Sequence, residues 1–258
     1  GARGRAAGAG VGWGDVGVGA MTFAPDSPLV THVVPADPTN VLRAVNHPKV
    51  IVLHTPEEPS DNYESTPVYF SQPNRSASTH YYADSDGDLY QMVPEAHGAI
   101  ANGVKGKPYP AGTDPAISLN YQSVNIEIEG YAATIGQTLT ARQRTTVLRW
   151  IVSCATRYGI PIDRAHVIGH YEVADNRSDP GTLDIDALVR EAQALAAPPD
   201  GLALVKAPGV AYTYLAFALG GRWRWKHYVA SQAELRALVT VGPVRVIDKL
   251  DSIRRLPD

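Results

Sequence analysis

Two short apolar runs predict buried strands of an α/β sheet, and a histidine closely follows each run. Residues 50–53 read Val-Ile-Val-Leu, the pattern of a strand covered on both faces, and His54 comes next. Residues 167–168, Val-Ile, form the second run, which a glycine stops just before His170. Because strand ends deliver catalytic groups in α/β sheets, both imidazoles are candidates for chemistry.

Residues 123–129 alternate strictly between polar and apolar side chains, which predicts a third strand. The apolar positions are Val124, Ile126 and Ile128, and the polar positions are Ser123, Asn125, Glu127 and Glu129. On a half-exposed strand the polar side chains would contact solvent. On a central strand they would face a cleft, where one glutamate could act as a general base.

Two longer segments with helical periodicity predict helices that cover the sheet. Thr140 to Gln143 form a capping box, and the apolar stripe after it ends at Gly159. Cys154 lies beside this stripe, which favours a small core residue over a nucleophile. Residues 185–196 repeat the periodicity and predict a final helix packed on the sheet.

Shorter patterns complete the predicted fold. Residues 79–83 and 89–93 flank an Asp-rich turn and predict a hairpin. The turn is too short for an EF-hand loop and lacks its closing glutamate, so calcium is a minor alternative. Residues 39–45 predict one or two helical turns on the sheet. The predicted fold class is α/β, a central mixed β-sheet flanked by helices, plus a small C-terminal α+β module.

The length and composition fit a soluble globular protein. The chain has 258 residues, enough for one catalytic domain and a small appendage. The net charge of −3 gives no whole-chain reason to expect nucleic acid or a membrane as partner. A single cysteine excludes an internal disulfide, so folding does not require an oxidising compartment. We expect a monomer.

The N-terminal residues 1–25 are predicted to be a disordered or non-native extension. The first twenty residues are rich in Gly and Ala, and Asp15 interrupts their mild apolarity, so they make a poor secretion signal. Met21 could be the natural start. A weak export signal remains the less favoured alternative.

A break in the chain predicts a domain boundary near residue 200. The sequence Ala-Pro-Pro-Asp-Gly at 197–201 separates a catalytic domain at 26–197 from a module at 202–258, with 198–201 as the linker. Residues 201–258 contain nine Lys and Arg against four Asp and Glu, so this end is basic while the remainder is acidic.

The C-terminal module is predicted to contain a hairpin over 212–228, a short helix from Ser231 and a last strand at 244–247. Aromatic residues alternate with basic ones in the hairpin, which suits a glycan or an anionic wall polymer, although packing within the hairpin explains them equally well. No recognition helix is evident, so nucleic acid fits less well.

Three separated segments each offer a metal-binding side chain at or after a strand end: His54, His170 and Asp179. Asp179 is followed by Pro-Gly, which places it in a turn. Two imidazoles and one carboxylate leave a coordination position open, as in catalytic zinc sites. A structural site would prefer four cysteines, and a serine hydrolase would need a Gly-x-Ser-x-Gly motif that the chain lacks. Each residue alone could equally be structural.

Together, five segments carry a family resemblance. They are Val-Ile-Val-Leu-His-Thr at 50–55, Ser-Thr-His-Tyr-Tyr-Ala-Asp-Ser-Asp-Gly-Asp-Leu-Tyr-Gln-Met-Val-Pro-Glu at 78–95, Ala-His-Gly at 96–98, Ser-Val-Asn-Ile-Glu-Ile-Glu-Gly at 123–130, and Val-Ile-Gly-His through Arg-Ser-Asp-Pro-Gly at 167–181. In this order they resemble the type 2 N-acetylmuramoyl-L-alanine amidases, which include phage endolysins, wall-recycling amidases and peptidoglycan-recognition proteins. The resemblance spans roughly residues 48–197.

The resemblance implies that His54, His170 and Asp179 hold Zn²⁺. It implies that Glu127 activates a water molecule and that Arg177 stabilises the oxyanion of the tetrahedral intermediate. The aspartate ligand, in place of cysteine, is a variant that the family also uses.

The resemblance also implies a substrate groove. His97 matches a groove histidine that contacts substrate, and the long loop from 102 to 119, with Tyr109 and with Asn120 after it, is expected to form a wall. Two positions depart from the family pattern. Asn125 replaces a usual glycine, and Arg177 replaces a usual lysine, which keeps the charge but changes its reach and donor geometry.

The expected function is zinc-dependent cleavage of the amide between N-acetylmuramic acid and L-alanine in peptidoglycan, by a phage or prophage endolysin with a wall-binding module. Such a protein would be made in the host cytoplasm and act on the wall after holin-type release or from outside. The alternatives are a non-catalytic peptidoglycan-binding protein of the same fold, a cytoplasmic amidase that recycles muropeptides, and a zinc peptidase with another substrate.

Overall fold

The computed structural model describes residues 22–57 and 65–197, and beyond them the backbone of four strands between residues 201 and 248. The strands are β1 His32–Val33, β2 Val41–Val45, β3 Val50–His54, β4 Tyr81–Ala83, β5 Leu89–Gln91, β6 His97–Ala99, β7 Ser123–Ile128, β8 Val167–Gly169, β9 Gly201–Lys206, β10 Thr213–Leu219, β11 Arg222–Val229 and β12 Arg245–Asp248. The helices are α1 Ser65–Ser71, α2 Ile135–Thr138, α3 Ala141–Tyr158 and α4 Ile185–Ala196, with 3-10 turns at Pro38–Asn40, Leu119–Tyr121 and His170–Glu172. Within the described residues, no helix has the length and apolarity that a membrane crossing requires.

A six-stranded mixed sheet forms the centre of the fold, in the order β1-β5-β4-β7-β3-β8. β4, β7, β3 and β8 run parallel to one another, while β5 runs antiparallel to β4 and parallel to β1. The register pairs His54 at the end of β3 with Glu127 on β7. The parallel strands therefore deliver their terminal polar residues to one edge, as predicted, and the predicted α/β class with a mixed sheet is confirmed.

The helices α3 and α4 pack on one face of this sheet. The core there is apolar and fully enclosed, built around Trp150 and Ile151 of α3, Leu188 of α4 and Ile126 of β7. Gly159 ends α3 in the left-handed conformation, with φ 66°, as the sequence predicts.

Only half of the predicted capping box forms at the start of α3. The Thr140 hydroxyl accepts the backbone N–H of Gln143 at 3.1 Å. The Gln143 amide does not return to Thr140 but donates to the backbone carbonyls of Ala83 and Glu129. The side chain therefore ties the helix to β4 and to the residue after β7, because a buried amide gains more from two carbonyls than from one exposed N–H.

A smaller apolar cluster lies against the opposite face of the sheet. It contains Val52 of β3, Leu119, Ile168 of β8 and Val173, and Tyr109 packs against it. Tyr109 thus belongs to the packing that fixes the 102–119 loop.

The prediction of helical turns at 39–45 is wrong. A single 3-10 turn, Pro38–Asn40, leads into β2, which pairs antiparallel with β6. The pairing overrides the weak helical periodicity because the Asn40 amide is buried and donates to the carbonyls of Phe70 and Gln72, which fixes the direction of the chain. The predicted hairpin is confirmed as β4 and β5.

A buried ion pair ties α3 to the segment before β6. Arg157 donates to both carboxylate oxygens of Glu95, which is only 1% exposed. The hydroxyls of Tyr81 and Tyr158 also donate to this carboxylate, at 2.7 and 2.8 Å. Burial alone would raise the pKa of Glu95, but the hydrogen bonds and charge of Arg157 and the two tyrosine hydroxyls hold it below its usual value.

A second sheet of four strands has the order β11-β10-β9-β12. The predicted hairpin is present as β10 and β11, and the predicted last strand is β12, parallel to β9. The sequence did not predict β9. The helix expected from Ser231 and residues 1–21 of the predicted extension at 1–25 lie outside the described residues, and the domain boundaries stay predictions.

Candidate metal centre

Three side chains from different segments converge at the edge of the main sheet. The Nδ1 atoms of His54 and His170 lie 3.1 Å apart, and each lies 3.2 Å from Oδ2 of Asp179. This is the one group of three or more such side chains that could hold a metal ion within the described part of the chain. The sequence placed all three at strand ends or in the turn after β8, and the structure brings them together.

The three ligand atoms fit a divalent cation. They form a nearly equilateral triangle, and a tetrahedral zinc site with bonds of about 2.0 Å would set its ligand atoms about 3.3 Å apart. Two imidazole nitrogens and one carboxylate oxygen thus lie at the mutual distances that a single bound zinc ion requires. Imidazole and carboxylate are the donors of catalytic zinc sites, and three of them leave a coordination position open.

The charges around the triangle also favour a cation. Burial alone would raise the pKa of Asp179, but the hydrogen bonds and charges of the two histidines hold it well below its usual range. Burial alone would lower the pKa of His54, but Asp179 and the negative charge of Glu127 raise it. Burial lowers the pKa of His170, and the positive charges of His54 and Arg177 add to that effect. The carboxylate is thus ionised beside two ligand nitrogens.

The turn that carries Asp179 has a strict backbone requirement. Gly181 adopts φ 53°, and a Cβ atom there would come within 2.2 Å of the carbonyl oxygen of Ala132. The carbonyl of Asp179 accepts the N–H of Tyr171, which closes the turn onto the start of the 3-10 helix after β8. The Asp-Pro-Gly sequence therefore fixes the third ligand because glycine alone fits this position.

The triangle lies in a cavity of about 660 Å³. Its lining includes Thr66, Tyr69 and Phe70 of α1 and residues 100–103. Glu127 and Arg177 also line the cavity, together with Asn120. A carboxylate and a guanidinium thus share one space with the three ligand side chains.

Glu127 on β7 and Glu129 directly after it have different environments. Glu127 is partly exposed and lines the cavity beside the triangle. Glu129 is 1% exposed, accepts the backbone N–H of Ser85, and does not line the cavity. Burial raises the pKa of Glu129. Glu127 is therefore the glutamate with access to a substrate.

The predicted substrate-binding residues separate into two groups. Asn120 lines the cavity, and its side-chain oxygen accepts the N–H groups of Ala101 and Asn102, so it shapes the wall. Tyr109 packs against the apolar cluster on the opposite face of the sheet and does not line the cavity, and its role in substrate binding stays a prediction. His97, on β6, does not line the cavity either, and its contact with substrate stays a prediction.

Sequence reasoning missed the polar contacts behind the ligands. Asn125 lies 3.3 Å from Nε2 of His54 and accepts a hydrogen bond from Asn102. The strict alternation of β7 already placed Asn125 on the same face as Glu127, which was the available signal. The start at Ser65-Thr66-Pro67 predicts a short helix through Tyr69 and Phe70, which is α1, but nothing in the sequence indicated that these aromatic residues line the cavity.

A carboxylate and a cation beside three convergent metal ligands are typical of hydrolytic metal centres. A family model described as N-acetylmuramoyl-L-alanine amidase matches residues 44–182, more than half of the chain. The protein therefore belongs to that family, whose reaction is hydrolysis of an amide bond in peptidoglycan. The match includes every residue of the triangle as well as Glu127 and Arg177.

A solved structure with a TM-score above 0.5 supports the fold, and two further structures are reported for their similarity alone. A selenomethionine derivative of AmpD has a TM-score of 0.51 and 23% sequence identity, over 64% of this chain and 95% of that one. The catalytic domain of XlyA has a TM-score of 0.46 and 18% identity, over 62% and 98% of the two chains. N-acetylmuramoyl-L-alanine amidase LysC from Clostridium intestinale has a TM-score of 0.41 and 17% identity, over 57% and 85%. No curated protein matches the chain.

Proposed function

We propose that this protein is a zinc-dependent amidase that cleaves the bond between N-acetylmuramic acid and L-alanine. The observation that carries the proposal is the triangle of His54, His170 and Asp179 in a cavity that also contains Glu127 and Arg177. A non-catalytic binding protein would need neither three intact ligands nor a partly exposed carboxylate next to them.

The residues of the chain supply the steps of hydrolysis. Bound zinc would supply a Lewis acid at the open side of the triangle. Glu127 takes a proton from the attacking water and delivers it to the leaving amine of L-alanine. The Arg177 guanidinium stabilises the negative charge that develops on the carbonyl oxygen of the lactyl group. Arg177 is exposed and lines the cavity, so its guanidinium is accessible to a bound substrate.

The lining of the cavity suits a substrate with a sugar part and a peptide part. The space of about 660 Å³ is lined by the triangle, by the aromatic side chains Tyr69 and Phe70 and by residues 100–103. Aromatic faces pack against the apolar faces of sugar rings, and Asn120 and Arg177 add polar groups to the lining. The reacting amide of peptidoglycan lies between a sugar and a peptide.

The basic composition of residues 201–258 supports a role in wall attachment. In this proposal the C-terminal sheet anchors the enzyme to peptidoglycan or to an anionic wall polymer, and the protein acts as a phage or prophage endolysin. A recycling amidase would act on soluble muropeptides and would gain nothing from such an anchor. Comparison of turnover on intact sacculi with turnover on soluble muropeptides separates the two roles.

The test of the metal centre is a pair of aspartate variants. Asp179→Ala removes the carboxylate of the triangle, and we expect it to lose zinc and activity together. Asp175→Ala, an exposed aspartate in the same segment, is the matched control and should keep both. Zinc content by mass spectrometry and release of L-alanyl peptide from a soluble muramyl peptide are the two readouts. Full zinc content in Asp179→Ala would remove Asp179 from the ligand set.

A further inference from the structure

His54 has one ring nitrogen in the triangle and the other directed away from it. Nδ1 faces His170 and Asp179, while Nε2 lies 3.3 Å from Oδ1 of Asn125. A histidine that binds a metal through Nδ1 must carry its proton on Nε2, and that N–H needs an acceptor in a buried site. Nε2 of His170, by contrast, has no hydrogen-bond partner among the described residues.

The amide of Asn125 has only one orientation that satisfies its neighbours. Nε2 of His80 donates to the carbonyl of His97 at 3.0 Å, so Nδ1 of His80 is an acceptor. The backbone N–H of Asn125 donates to this Nδ1 at 3.2 Å, and the side-chain Nδ2 lies at the same distance. Burial lowers the pKa of His80, which keeps the ring neutral and the acceptor available.

A second set of contacts gives the same orientation. Nδ2 of Asn125 donates to the hydroxyl of Ser123 at 3.1 Å, and that hydroxyl donates onward to the carbonyl of Leu119 at 2.8 Å. Nδ2 of Asn102 donates to Oδ1 of Asn125 at 2.8 Å. With Nδ2 held between two acceptors and Oδ1 receiving a donor, the oxygen of Asn125 must face His54.

We propose that Asn125 is a positioning residue that fixes the Nε2–H tautomer of His54 and so presents Nδ1 to the metal. The inference rests on the metal centre of the proposed function. His80, Ser123 and Asn102 hold the amide, Asn125 holds His54, and all five side chains are at least nine-tenths buried. Asn125 contacts a ligand and does not itself line the cavity.

The test measures zinc affinity by competition with a chromophoric chelator. Asn125→Leu removes the acceptor at similar size. Loss of an outer-shell partner weakens metal binding about 10- to 100-fold, so we expect a loss of that size for leucine. If leucine prevents folding, Asn125→Ala deletes the acceptor without adding bulk.

A control and a spectroscopic readout separate positioning from stability. Gln143→Leu removes a buried amide that donates two hydrogen bonds on the other side of the sheet, and it should leave zinc affinity unchanged. In the zinc-loaded protein labelled with ¹⁵N-histidine, the Nε2–H of His54 should exchange slowly, and Asn125→Leu should speed its exchange.

The outcomes distinguish this inference from the proposed function. The inference would be overturned if the unmodified protein binds zinc and Asn125→Leu binds it with an affinity within about twofold. The metal centre itself would then stand. An equal loss in Gln143→Leu would also overturn it, since loss of buried hydrogen bonds would then be sufficient. Failure of the unmodified protein to bind zinc would overturn the metal centre and this inference with it.

Discussion

The assignment of Glu127 as the general base gives the sharpest prediction about catalysis. Glu127→Gln keeps the size of the side chain and removes its ability to take a proton. General-base catalysis contributes about 10²- to 10⁴-fold to rate, or roughly 3–5 kcal/mol of the activation barrier. Because Glu127 is paired in register with His54 but is not a member of the triangle, the variant should keep its zinc at saturating metal. We therefore expect kcat to fall by that factor.

Glu129→Gln is the matched control, two residues along the same segment. Glu129 is buried and holds the turn between β4 and β5 through the N–H of Ser85, and glutamine keeps an acceptor for that bond. The assay is release of L-alanyl peptide from a soluble muramyl peptide, with zinc content measured on the same samples. The control should keep a kcat close to that of the unmodified protein.

Two results would refute this reasoning. Near-normal turnover in zinc-loaded Glu127→Gln would mean that another group takes the proton. A large loss in Glu129→Gln, with turnover retained in Glu127→Gln, would mean that the buried glutamate is the base. Loss of zinc from Glu127→Gln would instead give Glu127 a direct role in metal binding.

Three further predictions concern the scaffold and the C-terminal strands. Arg157→Leu leaves the buried carboxylate of Glu95 without its cationic partner. Breaking a buried ion pair costs about 3–5 kcal/mol, and because the arginine is partly exposed we expect the free energy of unfolding in urea to fall by about 3 kcal/mol. An unchanged unfolding midpoint would contradict this. Gly181→Ala should weaken zinc binding because its Cβ would displace the turn that carries the third ligand. Gly112→Ala is the control and should keep its zinc affinity, since Gly112 also has a positive φ, 74°, but a Cβ there would meet no atom closer than 3.9 Å. Equal zinc affinities of the two variants would show that the turn tolerates the change. Deletion of 201–258 should weaken attachment to sacculi more than cleavage of a soluble muramyl peptide, and equal attachment would make these strands purely structural.

The strands that carry the ligands were predictable because their signals are local. The apolar run before His54 and the glycine before His170 mark two buried strand ends, and parallel pairing then brings those ends together. Asp-Pro-Gly marks the turn of Asp179, and its glycine has the positive φ that the turn requires. The helix over 185–196 was predicted at both ends for the same reason, since its apolar stripe lies within one segment.

The features that sequence reasoning missed depend on contacts between distant segments. The strand β2 forms only because β6 pairs with it, and the local pattern at 39–45 favoured a helix. The packing of Tyr109 against the apolar cluster brings its loop together with β3 and β8. The role of Asn125 follows from His80, which is 45 residues away along the chain. No spacing rule along one strand could identify that partner.

The most direct test of the central claim uses purified sacculi, with a chelator and with zinc added back. A zinc amidase should release new L-alanine amino groups without new reducing sugars, and this release should disappear with the chelator and return with zinc. The account would be contradicted by new reducing sugars, by release that continues in the presence of the chelator, or by binding to sacculi without any release.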